Sequence, residues 1–136
     1  TTQRVAETVC RGEAGCFMHG PTFMGNALAC SVALKSIELF EKQDYLSRIH
    51  KIEAITRREM KGFFDPRIKE IRIMGACVCI EVYDSASIAG YQQFAYERGV
   101  FSRPFLNYLY AMVPYIIKED ELVKVLSTMK AWFMIM

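Results

Sequence analysis

Two histidines, one tryptophan and four prolines in 136 residues leave this chain poor in the residue types that often announce a site unaided. With only His19 and His50, and no CxxC pair among five cysteines, a zinc centre is not expected. The cysteine number is odd, and no paired framework emerges from Cys10, Cys16, Cys30, Cys77 and Cys79. Cys77 and Cys79 stand two apart in an apolar run. They therefore share a strand face at a spacing of roughly 6.5 Å, too wide for an easy disulfide. No concentrated basic face is present either: the net charge is +2, and Arg57, Arg58 and Lys61 sit beside acids on a helical pattern. That excludes the usual footprint of a nucleic-acid or membrane-surface partner. Thr1-Thr2-Gln3-Arg4-Val5 holds no hydrophobic signal region, and no apolar run approaches a membrane span. Together with unpaired cysteines, these absences lead us to expect a reducing, cytoplasmic setting. Internal repeats and low-complexity segments are missing as well.

What is present suits a folded domain. Hydrophobic residues make up 52% of the chain and aromatics 12%, enough to bury a core at this length. A short helix is expected over 3–10, then an irregular loop from Gly12 to Pro21 and a long helix from Thr22 to about Glu41. The first half of that helix carries Gly25, Ala27, Ala29, Ser31 and Ala33, and the second half is amphipathic. Asp44 reads as an N-cap for a helix over about 45–62, with Leu46, Ile49, Ile52 and Ile55 on its apolar face. Ile71–Met74 and Ala76–Tyr83, parted by Gly75, read as one bent strand or as two. A helix starting at Ser85 or Ser87 and stopped by Gly99 follows. Val100–Phe105 and Tyr108–Val113 read as strands around a turn at Leu106-Asn107, and a last helix opens with Glu119, Asp120 and Glu121. Residues 44–136 thus describe a compact α+β unit. Residues 1–43 do not close on themselves and look like the tail of a larger domain.

Two segments carry candidate chemistry. In His19-Gly20-Pro21-Thr22-Phe23-Met24-Gly25-Asn26, a threonine at a helix start brings its hydroxyl and the first N–H groups toward an anion, aided by the helix dipole. Phe101-Ser102-Arg103-Pro104-Phe105 offers a guanidinium in an apolar setting, suited to bidentate capture of a carboxylate. Each segment also has an ordinary structural reading: a capped turn, an arginine at a strand end, a hydrogen-bonded core histidine at His19. Tyr108 and Tyr110 share a strand face that packing or ligand contact explains equally well.

Taken jointly, these segments resemble class III pyridoxal-phosphate aminotransferases. The likeness is carried by His19 to Asn26 with Leu28-Ala29-Cys30, by Val5-Ala6-Glu7-Thr8 and Gly12-Glu13-Ala14-Gly15-Cys16-Phe17, by Arg103-Pro104-Phe105, and by Tyr110-Ala111-Met112-Val113-Pro114-Tyr115-Ile116-Ile117. Within that family it is closest to the branch serving biotin synthesis. The resemblance implies an α/β fold of pyridoxal-phosphate type I, with 1–43 as the end of the large cofactor-binding domain and 44–136 as the carboxy-terminal small α+β domain. It further implies a homodimer with pyridoxal 5'-phosphate as cofactor and small-molecule substrates, S-adenosylmethionine and 8-amino-7-oxononanoate. Pro21 and Thr22 would contact the cofactor phosphate of the neighbouring subunit, Gly20 would lie beside the substrate, Arg103 would bind the keto-acid carboxylate and Tyr110 would line the substrate pocket.

This chain departs from the family in ways that matter. The Schiff-base lysine, the acid on the pyridine nitrogen and the stacking aromatic all precede this segment in the family. Lys35 and Lys51 match no motif, so no catalytic residue is assigned and the chain is expected to be a fragment, inactive alone. Leu106 stands where a glycine is usual, Ser102 where a larger apolar residue is, Val113 where a proline is, and Lys118 where a serine cap is expected, which should weaken the last helix by roughly 1 kcal/mol. Two other functions fit the same residues: another class III aminotransferase acting on an ω-amino acid, or a non-catalytic α+β interaction module.

Overall fold

A computed structural model of the chain describes residues 2–13, 15–16 and 20–135. They form two compact units, Thr1–Lys42 and Gln43–Met136.

In the first unit α1 spans Gln3–Cys10, and the Thr2 hydroxyl accepts from the Val5 N–H at 3.4 Å as its cap. The second helix, α2, spans Ala27–Lys42 and so begins five residues later than the sequence suggests. Gly25 explains the delay. Its φ of +72° is incompatible with a right-handed helix, and the chain instead makes two successive turns, Met24 N–H to Pro21 O at 2.9 Å and Asn26 N–H to Phe23 O at 3.1 Å. Asn26 then caps α2, its Oδ1 accepting from the Ala29 N–H at 2.9 Å. Neither helix buries any residue.

In the second unit Asp44 caps α3 (Tyr45–Met60), and Gly62 at φ +72° turns the chain out of it. The apolar run around Gly75 is a tight hairpin of two strands, β1 (Ile68–Met74) and β2 (Cys77–Val82). The helix expected after Ser85 is broken. A 3₁₀ turn (Ser85–Ile88), capped by Asp84, is separated from α4 (Tyr91–Glu97) by Gly90 at φ +87°. The strand expected over 100–105 shrinks to β3 (Pro104–Phe105), because proline offers no N–H to extend the ladder. Next come β4 (Tyr108–Met112) and the long α5 (Glu119–Ile135).

The four strands form an antiparallel sheet in the order β1-β2-β4-β3. Alternation along β2 and β4 sends Val78, Ile80, Val82, Leu109 and Ala111 to one face. There they meet Leu122, Leu126 and Met129 of α5, Ile52 and Ile55 of α3, and Tyr91 and Ala95 of α4. The Trp132 indole donates to the Ser87 carbonyl at 2.9 Å, and Phe94, Tyr91 and Trp132 pack edge-on. Arg58 reaches Glu119 at 3.0 Å, tying α3 to the start of α5. The opposite face of the sheet takes the outward-alternating residues. It carries Cys77 and Cys79, as their spacing required, together with a network in which Glu81 accepts from Lys69 at 2.6 Å and from Arg72 at 2.9 Å.

Two of the departures have stability consequences. Leu106 sits at φ +50°, a region that costs a side-chain-bearing residue about 1–2 kcal/mol. Leu106→Gly should therefore raise the urea midpoint, followed by the single Trp132, by the equivalent of about 0.5–1 kcal/mol after glycine's extra unfolded-state entropy. At the start of α5, Glu121 already bonds the Lys118 N–H at 3.0 Å, half of a capping box. Lys118→Ser completes the box and should stabilise by about 1 kcal/mol in the same assay. Hydrogen bonding from Lys69 holds the Glu81 carboxyl below its ordinary 4.5, and Arg67 holds Asp65 below its ordinary 3.8. Between those ordinary values and the lower folded ones, the unfolded chain binds more protons than the native one. Stability should therefore be intact above pH 4.5 and fall as pH drops through the folded values. Acid titrations of Glu81→Gln should show a shallower decline.

Candidate functional site

Arg103 and Tyr110 are brought to one cleft. Tyr110 lies on β4, facing away from the helices, while Arg103 immediately precedes β3 in the adjoining hairpin arm. Both line a cleft of about 330 Å³ with Phe101, Ser102, Met112 and Val113. That volume lies within the range of small-ligand pockets. Arg103 is exposed, and no carboxylate among the described residues pairs with it. An unpaired guanidinium beside a tyrosine, on apolar walls, is chemically prepared for a carboxylate.

Ser102 determines where that guanidinium starts. Its hydroxyl donates to the Tyr110 carbonyl at 3.2 Å, clasping the segment before Arg103 to β4. Tyr91 lies fully buried behind it. Burial pushes the Tyr91 phenol up to about 12, with the Ser102 hydroxyl drawing it partly back, so it stays protonated. Among the described residues the Tyr91 oxygen meets no partner in good hydrogen-bond geometry; the Ser102 hydroxyl near it points its hydrogen at the Tyr110 carbonyl. The sequence marks Ser102 only as unusual; its part in the clasp depends on the Pro104↔Leu109 register, which sequence does not state.

The two strand tyrosines have different surroundings. The Tyr108 ring lies under the Arg72 guanidinium, 5.7 Å from its centroid, whereas Tyr110 lines the cleft. Packing accounts for the first.

Gly20, Pro21 and Thr22 lie in the first unit, all exposed. Thr22 is not the helix cap expected from sequence; Asn26 takes that place, four residues on, and Thr22 lies within the Pro21–Met24 turn. The dipole of α2 therefore does not act at Thr22 in the manner expected. The turn keeps another asset: among the described residues nothing accepts from the backbone N–H of Thr22 or Phe23. Two N–H groups without an acceptor among the described residues, and a hydroxyl, lie in one tight turn, a grouping suited to a phosphate. A Cβ added at Gly20 would meet nothing within 4 Å, so the approach is open. His19, the other residue of interest in this motif, lies outside the described residues, as do Ala14 and Phe17.

Residues 1–133 match the aminotransferase class-III family. The chain is 34% identical over 131 residues to the adenosylmethionine-8-amino-7-oxononanoate aminotransferase of Buchnera aphidicola subsp. Schizaphis graminum, covering 96% of this chain and 30% of that protein. It is 39% identical over 119 residues to the enzyme of that name in Saccharomyces cerevisiae, covering 82% of this chain and 25% of that protein. Among solved structures it is similar to the enzyme of the same name from Methanocaldococcus jannaschii, with a TM-score of 0.73 at 26% identity over 90% of this chain and 31% of that one. The ornithine aminotransferase of Toxoplasma gondii ME49 superimposes with a TM-score of 0.67 at 28% identity, over 86% of this chain and 29% of that one. The chain thus spans about 30% of the length of the first curated relatives. Its sequence, its mixed helix-and-sheet fold and its match along nearly the whole length agree: the chain belongs to the class III aminotransferases.

Proposed function

We propose that this chain supplies the carboxy-terminal part of a pyridoxal-phosphate transaminase that moves an amino group from S-adenosylmethionine to 8-amino-7-oxononanoate, in biotin biosynthesis. The observation that carries the proposal is the Arg103–Tyr110 cleft: an unpaired guanidinium on apolar walls suits a long aliphatic keto acid ending in a carboxylate. Relatives named for that substrate support the choice over other acids.

The residues present fit the anionic end of the cofactor. Thr22 Oγ1 and the backbone N–H groups of Thr22 and Phe23 would hold the phosphate, with Pro21 setting the turn and Gly20 leaving room beside the substrate. When bound, pyridoxal 5'-phosphate carries the amino group and draws electron density from the carbon that exchanges its proton. This chain's own part is binding and orientation. Arg103 fixes the acid's far end, Tyr110 closes one wall, and the Ser102 clasp keeps both in register.

No catalytic residue is assigned here. Lys35 pairs with Glu38 at 3.0 Å on an exposed face of α2, and Lys51 lies on α3 in a different cleft. Lys51 is not among the residues that line the Arg103 cleft. We infer that the reactive lysine lies in another part of the protein, that the chain alone lacks transaminase activity, and that the working enzyme is a cytoplasmic homodimer. No helix among the described residues is long and apolar enough to cross a membrane.

In the complete enzyme, Arg103→Ala should raise the KM for the keto acid by about tenfold to a hundredfold, the size of a lost charged hydrogen-bond pair, with kcat changed far less. Arg103→Lys should recover part of the loss. Steady-state kinetics with the acid varied reads this directly, and an unchanged KM would remove Arg103 from the site.

A further inference from the structure

Tyr91 holds an unaligned polar group where such a group destabilises the fold. Among the described residues its hydroxyl is a buried side-chain oxygen that meets no partner in good hydrogen-bond geometry. The rest of the side chain is tightly held. Its ring packs edge-on against Trp132 at 5.9 Å and tilted against Phe94 at 6.4 Å, and the residue is 0% exposed. Close packing on two rings leaves the phenol little freedom to turn toward water.

Its polar neighbour is Ser102, near enough that the serine hydroxyl offsets part of the effect of burial on the phenol. Ser102 is half-buried between exposed Phe101 and exposed Arg103, so the serine is turned toward the interior while the guanidinium is free at the cleft. The serine hydrogen points at the Tyr110 carbonyl, 3.2 Å away, which leaves the lone pairs of its oxygen as acceptors. The Tyr91 phenol, pushed up to about 12, keeps its proton and can only offer it. A donor and an acceptor therefore lie side by side, next to the residue that faces the acid, without being aligned.

We propose that Tyr91 is a positioning residue for the acid-binding guanidinium: when a carboxylate engages Arg103, the Tyr91 hydroxyl aligns on Ser102 and completes a one-way hydrogen-bond chain to the Tyr110 carbonyl. This deepens the proposed function and rests on the reading of Arg103 as carboxylate anchor. A carboxylate pulling on Arg103 also moves the adjoining Ser102. The acid-bound state then holds one hydrogen bond that the free state lacks, and this difference adds to the affinity for the acid. Each member of the chain polarises the next, so the clasp before Arg103 tightens as the acid is held.

Tyr91→Phe removes the hydroxyl and retains the ring. In the complete enzyme it should raise the KM for the keto acid by about threefold to tenfold, the range of one neutral hydrogen bond, with kcat nearly unchanged. The urea midpoint of the acid-free chain, followed by Trp132, should stay level or rise, because the variant loses a buried oxygen that had no aligned partner. A residue that only fills the core would weaken binding and stability together. In a Ser102→Ala background Tyr91→Phe should add no further rise in KM, since its acceptor is gone. Arg103→Ala is the control for the site. A raised KM there, with Tyr91→Phe unchanged, keeps the carboxylate anchor and overturns the relay. An unchanged KM in Arg103→Ala removes the anchor and the relay with it. Additive effects of Tyr91→Phe and Ser102→Ala, or a lowered urea midpoint in Tyr91→Phe, also overturn the proposal.

Discussion

The antiparallel pairing of β2 with β4 is the constraint on which the second unit depends. Through Val78, Ile80 and Leu109 this pair supplies the floor of the core, and Leu122, Leu126 and Met129 of α5 close over it. The same alternation that sends those residues inward sends Cys77, Cys79, Tyr110 and Met112 to the other face. A slip of one residue in this register would exchange the two sets. The core and the outward placement of Tyr110 are therefore specified together.

Hydrogen bonds at the sheet's margins then place particular groups. Ser102 clasps the segment before Arg103 to β4, and Glu53 clasps the Gly75 corner to α3 while also accepting from Arg57 at 2.6 Å. The Arg57 hydrogen bond, with that from Gly75, holds the Glu53 carboxyl below its ordinary value. These clasps act on short irregular segments, where backbone groups otherwise lack partners. Strain is tolerated beside them: Leu106 holds a left-handed conformation between β3 and β4, only three residues from Arg103.

Helices with clear caps and apolar stripes were legible from sequence. Asp44 ahead of α3 and the acidic opening of α5 lie where the pattern puts them, because local chemistry alone determines such ends. Gly25 and Gly90 were the points of failure. Each occurs inside a plausible helical pattern, and only its positive φ reveals a break. With Gly25 taken as helical the pattern starts α2 at Thr22; the positive φ of Gly25 puts the start at Ala27, with Asn26 as the cap. For the site, the residue types at Thr22 and Arg103 suggested the chemistry, but the company Arg103 keeps came from strand register. Tyr108 and Tyr110 are indistinguishable in sequence, and Arg72 over one ring tells them apart.

The account's central claim is that Arg103 and Tyr110 together receive an acid's carboxylate end. Nuclear magnetic resonance of the 136-residue chain, with the arginine side-chain Nε–Hε groups assigned, tests this during titration with 8-amino-7-oxononanoate. The Arg103 side-chain signal and the Tyr110 ring signals should move together and saturate, and the response should vanish in Arg103→Ala. Saturable shifts confined to other residues, with Arg103 and Tyr110 unmoved, would contradict it.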